Sequence, residues 1–190
     1  KLAQREWLQR DGVTDWATWT YDPLYRANGV FNIHRLGAIC STYIVDLYGE
    51  MTDILNAGGP SDRCQVDWWV DSSRVNNAVA VATQNEGAGA KTGPRDYPTL
   101  TPTLTGVTGR FHQPSEAPLP FDGRAVGAPV PDDISAIRQQ DRPLALAWRY
   151  ALREHLQSAY AAGYVLVDCL QVGERDWNYV LVPGDALVGG

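Results

Sequence analysis

Apolar and polar positions divide the chain into stretches of different rhythm. Lys1-Leu-Ala-Gln-Arg-Glu-Trp-Leu-Gln-Arg10 is helical in composition and stops at Asp11-Gly12, where Gly12 supplies a left-handed residue and Val13 the apolar contact beyond it. Trp16-Ala-Thr-Trp-Thr-Tyr21 is rich in β-branched and aromatic residues with apolar groups on both faces, which predicts a strand covered on both sides. Asp22-Pro23 then opens a helix over residues 24–35 that ends at Gly37. Strands are predicted over 42–48 and 65–70, separated by a turn-rich stretch over 55–63.

Residues 76–128 have scattered apolar positions and six prolines between Pro94 and Pro120, which predicts a long irregular connection with short hairpins at most. Order returns with a short helix over 131–138 and a longer one over 141–162. The apolar stripe of the longer helix is Leu144, Trp148, Leu152, Leu156 and Tyr160 at four-residue spacing. Gly163 ends that helix, and residues 165–170 and 177–182 predict a hairpin across Gly173-Glu-Arg-Asp176. The fold class is therefore α/β of the α+β kind: a mixed, mostly antiparallel sheet with flanking helices. Its predicted units are 1–75, an irregular 76–129, and a helix-helix-hairpin unit over 130–190 on the same sheet.

Composition narrows the function classes. The 190 residues carry a net charge of −6, so the basic field that binds nucleic acid or anionic lipid is missing, and neither is an expected partner. The chain has no apolar run of membrane-spanning length and no secretory leader at its start, so a cytoplasmic location is expected. Cys40, Cys64 and Cys169 form no paired motif, which predicts buried reduced thiols rather than a disulfide framework or a metal site. Seven tryptophans supply a sizeable core. The opening helix has no capping residue before it, an arrangement expected of the C-terminal portion of a longer protein. In such a portion the strand near 14–21 has an exposed flank, which predicts a homo-oligomer.

No phosphate loop, nucleophile elbow or zinc signature occurs in the chain. His34 near a helix end is a candidate general base beside Asp22, with a helix-dipole role as the structural alternative. Asp46, Glu50, Asp53, Asp62, Asp67 and Asp71 are candidates for a cation- or amine-binding cleft, solvated strand ends being the ordinary explanation. Asn28 and Asn32, four apart on one helix face, are placed to present amides to a ligand. His112 and His155 receive no role.

Taken together, Trp19-Thr-Tyr-Asp-Pro-Leu24, Asn28 and Asn32 before Arg35-Leu-Gly-Ala38, Tyr48-Gly-Glu-Met51, Leu55-Asn-Ala-Gly58 with Ser61-Asp-Arg63, and Leu146-Ala-Trp-Arg149 with Gly163-Tyr164 carry a resemblance. Over residues 1–75 and 130–182 the chain resembles a bacterial branch of the GNAT-type N-acetyltransferase superfamily. The resemblance implies acetyl-CoA as co-substrate, a small-molecule amine as acceptor and no metal. It likens residues 1–12 to the helix behind the pyrophosphate loop, 16–21 to the next strand, 24–36 to the helix beside the pantetheine arm, and the strands at 42–48 and 65–70 to the end of the sheet. The loop itself, of the type Gln/Arg-x-x-Gly-x-Gly/Ala, would precede Lys1.

On that reading Asn28 and Asn32 contact the co-substrate, and His34, Asp22 or Glu50 positions or deprotonates the amine. Many members place a proton-donating tyrosine four residues before the glycine that ends this helix, and here that position is Ile33. Tyr25 or Tyr48, or a residue outside this chain, then protonates the leaving thiolate, or transfer relies on positioning alone. The alternative function is a non-catalytic small-molecule-binding or assembly module on the same scaffold.

Overall fold

The structure, a computed structural model, describes residues 1–49, 59–84, 97 and 99–187. The elements are α1 (Leu2–Asp11), β1 (Trp16–Tyr21), α2 (Arg26–Gly29) continuing as a π-helical turn (Val30–Arg35), β2 (Ile39–Ile44), β3 (Arg63–Trp69) and α3 (Ser73–Gln84). There follow β4 (Val107–Thr108), β5 (Phe111–His112), β6 (Val126–Val130), α4 (Ile134–Gln140), α5 (Arg142–Ala161), β7 (Tyr164–Gln171) and β8 (Trp177–Pro183). One six-stranded sheet runs β1-β3-β2-β7-β8-β6 with every strand pair antiparallel, and β4-β5 form a separate short hairpin. The α+β class expected from the sequence is the class observed.

Alternation along β8 separates two apolar layers. Tyr179 and Leu181 join the main core with Trp148, Leu152 and Leu156 of α5, whereas Val180 and Val182 join Val167, Tyr97 and Leu100 in a smaller cluster. Left-handed glycines end three helical segments as anticipated: Gly12 at φ 63°, Gly37 at φ 71° and Gly163 at φ 79°. Asp133 and Asp141 cap α4 and α5 by accepting from the Ala136 and Leu144 amides. All three cysteines are free and buried.

Several expectations need correction. β1 has one strand partner among the described residues, the exposed flank expected of it, but its Trp16 and Thr18 are exposed, so it is not covered on both sides; aromatic content alone does not reveal that one face is uncovered. β2 lies three residues earlier than the predicted 42–48, because Asp46 takes a left-handed φ of 49° and Gly49 one of 66°, and the turn they form is tied to Ser61. The strands around 42–48 and 65–70 do not end the sheet: β2 also pairs with β7 through Cys40 and Leu166, so both are interior. Part of the supposedly irregular connection is helical, since Ser72 caps α3 and Val75 and Ala78 are buried. The boundary at 129/130 also falls within β6.

Candidate functional site

Two polar clusters are built into this frame, and the residues singled out in the sequence divide between them. The first centres on His34. A π-helical turn packs more residues per turn than an α-helix, and here it buries Asn32, Ile33 and His34 in succession. His34 Nδ1 lies 2.6 Å from Asp168 Oδ1, and their side chains are 5% and 0% exposed. Asp168 sits in the bulge of β7 and also accepts from the Tyr97 hydroxyl (3.1 Å) and the Cys169 amide (2.8 Å). A carboxylate that gathers donors in this way holds His34 as the Nδ1–H tautomer. Burial, with the Asp168 charge beside it, pushes the Cys169 thiol well up, so that sulfur stays protonated.

The second cluster centres on Asp22, just past β1. Arg149 Nη2 of α5 donates to both Asp22 oxygens at 2.9 and 2.8 Å, Arg138 Nη2 of α4 donates at 3.3 Å, and Arg63 of β3 lies 3.9 Å away. Arg138 also donates to the Tyr25 hydroxyl at 2.7 Å. The Arg63 guanidinium stands 5.1 Å over the Tyr48 ring, an exposed cation–π contact. One turn along α5, Arg153 forks onto Asp62 at 2.9 and 2.8 Å, and the Tyr43 hydroxyl joins it at 2.7 Å. Burial by itself would raise the Asp62 carboxyl; Arg153, Tyr43 and the Asp46 amide outweigh it and hold the group below its ordinary value. Burial would likewise lower Arg149, but Asp22 reverses the sign and raises it.

The sequence-predicted residues are therefore not one constellation. Asp22 and Tyr48 share the arginine cluster, with Tyr25 at its margin, and Asp22 ties β1 to two helices rather than standing ready as a base. His34 lies in the other cluster. Glu50 and Asp53 fall outside the described residues. Asn32 does not present its amide: its oxygen accepts from Trp19 Nε1 at 2.9 Å and its nitrogen donates to the Asn28 carbonyl at 2.9 Å. Asn28 is partly exposed. Of the acidic residues grouped in the sequence, Asp46 and Asp62 lie together, the Asp46 amide donating to Asp62, whereas Asp67 accepts from Trp16 Nε1 and Asp71 from Gln9.

Sequence reasoning passed over Asp168 and the arginines. A lone aspartate inside the apolar run Val165-Leu-Val-Asp-Cys-Leu170 was the signal for the first. For the second, Arg149 falls between Ala145 and Leu152 on the buried side of α5, where a charge needs a partner.

A separate cleft of about 120 Å³ is lined by Arg110, His112, Asp132, Asp133 and Arg175 among others. Its polar groups are already engaged: Asp132 with Arg175 and with Arg26 outside the lining, His112 with Thr105 and Asp176. Among the described residues no set of three or more metal-ligating side chains is gathered, and no helix is long and apolar enough to cross a membrane. No family model matches the chain, and no curated protein or solved structure matches it either.

Proposed function

We propose that the protein transfers an acyl group from acyl-CoA to an amine, with His34 as the base. The observation that carries the proposal is the His34–Asp168 pair, in which a buried carboxylate orients the imidazole 2.6 Å away and would stabilise the imidazolium formed when Nε2 takes a proton. The element order over residues 1–69, helix, strand, helix, strand, strand, supports it further, being the order that the acetyltransferase resemblance implies. Acetyl-CoA supplies a thioester. The amine, relieved of its proton by His34, attacks the thioester carbonyl; the C–S bond breaks, and the departing thiolate takes up a proton. Tyr25, whose hydroxyl accepts from Arg138, or Tyr48 gives that proton. Contact with the co-substrate falls to Asn28 rather than Asn32, whose amide is fully engaged.

A second reading, a binding or assembly module without turnover, is favoured by the depth of His34, whose side chain is 5% exposed. Turnover separates the two. With acetyl-CoA and a panel of amines, full-length protein should release free thiol, and His34→Gln should lower the rate by about 10²–10⁴-fold. Absence of thiol release with every amine, despite acetyl-CoA binding, selects the second reading.

A further inference from the structure

We propose that the arginine cluster at Asp22 is a binding site for an oxyanion, the carboxylate or phosphate group of a small ligand. The inference does not depend on acyl transfer. Arg63, Arg138 and Arg149 converge there, and one turn along α5 Arg153 forks onto Asp62. Asp46 lies next to Asp62 but directs its own carboxylate to Ser61. Counting Asp46, four guanidiniums stand against three carboxylates among the described residues, an excess of one positive charge in a partly buried setting, where Coulomb attraction for an anion is stronger than in water.

One donor is also unsatisfied. Arg149, 3% exposed, has its Nη1 buried with no hydrogen-bond partner among the described residues, although guanidinium N–H groups are among the strongest donors available. Its Nη2 is divided between two oxygens of one carboxylate instead of forming a two-nitrogen fork. Arg63, Arg138 and Arg153 are 17%, 26% and 22% exposed, so solvent-borne ligands reach the rim. The long Arg138–Asp22 contact of 3.3 Å is the one a ligand oxygen displaces most easily, because a partly exposed, stretched ion pair is weak. Asp22 itself occupies part of the seat, as a built-in competitor for the ligand.

That arrangement predicts responses of opposite sign. Inorganic phosphate and acetate, titrated separately at fixed ionic strength, are the probes, read by the side-chain Nε–H resonances of the arginines. The expected result is a saturable shift at Arg63, Arg138 and Arg149 with one or both anions, while Arg124, exposed and paired with Asp122, stays put. A response to phosphate alone assigns a phosphorylated ligand, and to acetate alone a carboxylate. Arg138→Gln should weaken the anion about tenfold, the loss of one charge-assisted hydrogen bond. Asp22→Asn should tighten it, which a purely structural cluster does not predict. Shifts that are absent, or equal at all arginines including Arg124, overturn the proposal; the wild-type titration decides this even if a variant fails to fold.

Discussion

Replacing Asp22 by Asn removes one charge and leaves the shape, so the outcome reports on electrostatics. The carboxylate accepts four hydrogen bonds: Leu24 N at 3.0 Å and Arg149 at 2.9 Å on Oδ1, Arg149 at 2.8 Å and Arg138 at 3.3 Å on Oδ2. An asparagine has one acceptor oxygen, and its amide nitrogen meets a guanidinium that also only donates. Arg138 swings into solvent. Arg149, 3% exposed, cannot, and is left as an uncompensated buried charge at a cost of about 3–5 kcal/mol. For a domain of this size each kcal/mol moves Tm by roughly 2–4 °C, so thermal unfolding followed by circular dichroism should show a drop of about 6–20 °C. Adding Arg149→Met removes the stranded charge and keeps the aliphatic packing; the double variant should recover much of the loss. A single-variant loss below about 1 kcal/mol, or a double variant no better than the single, would show that Arg149 does not depend on Asp22 for its charge.

Three further outcomes follow from particular contacts. Gly29→Ala would set a Cβ 2.5 Å from Cε1 of Tyr179, a fully buried ring whose hydroxyl is bound to the Pro23 carbonyl, so chemical denaturation should show a loss of about 1–3 kcal/mol or more; a neutral result contradicts the packing. His155 is depressed in the fold, first by burial, so below its unfolded value near 6.5 the unfolded chain binds the extra proton. Its contribution is therefore intact above that pH and declines on acidification by at most about 1.4 kcal/mol per pH unit; stability curves of wild type and His155→Gln should converge as pH falls, and parallel curves contradict this. Among the described residues β1 pairs on one side only, so sedimentation should show concentration-dependent association that Thr18→Lys weakens; a monomer at every concentration rejects edge pairing.

Local rules carried much of the fold. Gly12, Gly37 and Gly163 ended helical segments because only a left-handed residue closes those turns, and the two helices expected after residue 130 are present, capped by Asp133 and Asp141. The α5 stripe placed Trp148, Leu152 and Leu156 in the core by spacing alone. What escaped depends on long-range partners. The π-helical turn breaks the 3.6-residue period, so Asn32 and His34, read as ligand-facing, are buried together with Ile33. Asp168 is 134 residues from His34 and Arg149 is 127 from Asp22, and no periodic pattern links residues so far apart. Whether both faces of β1 are covered depends on what packs against the sheet there, which aromatic content does not encode.

Calorimetric titration of the full-length protein with acetyl-CoA tests acyl transfer at its first step. Saturable heat at one site per chain is expected; no heat at millimolar acetyl-CoA would leave the His34–Asp168 pair without a thioester to serve.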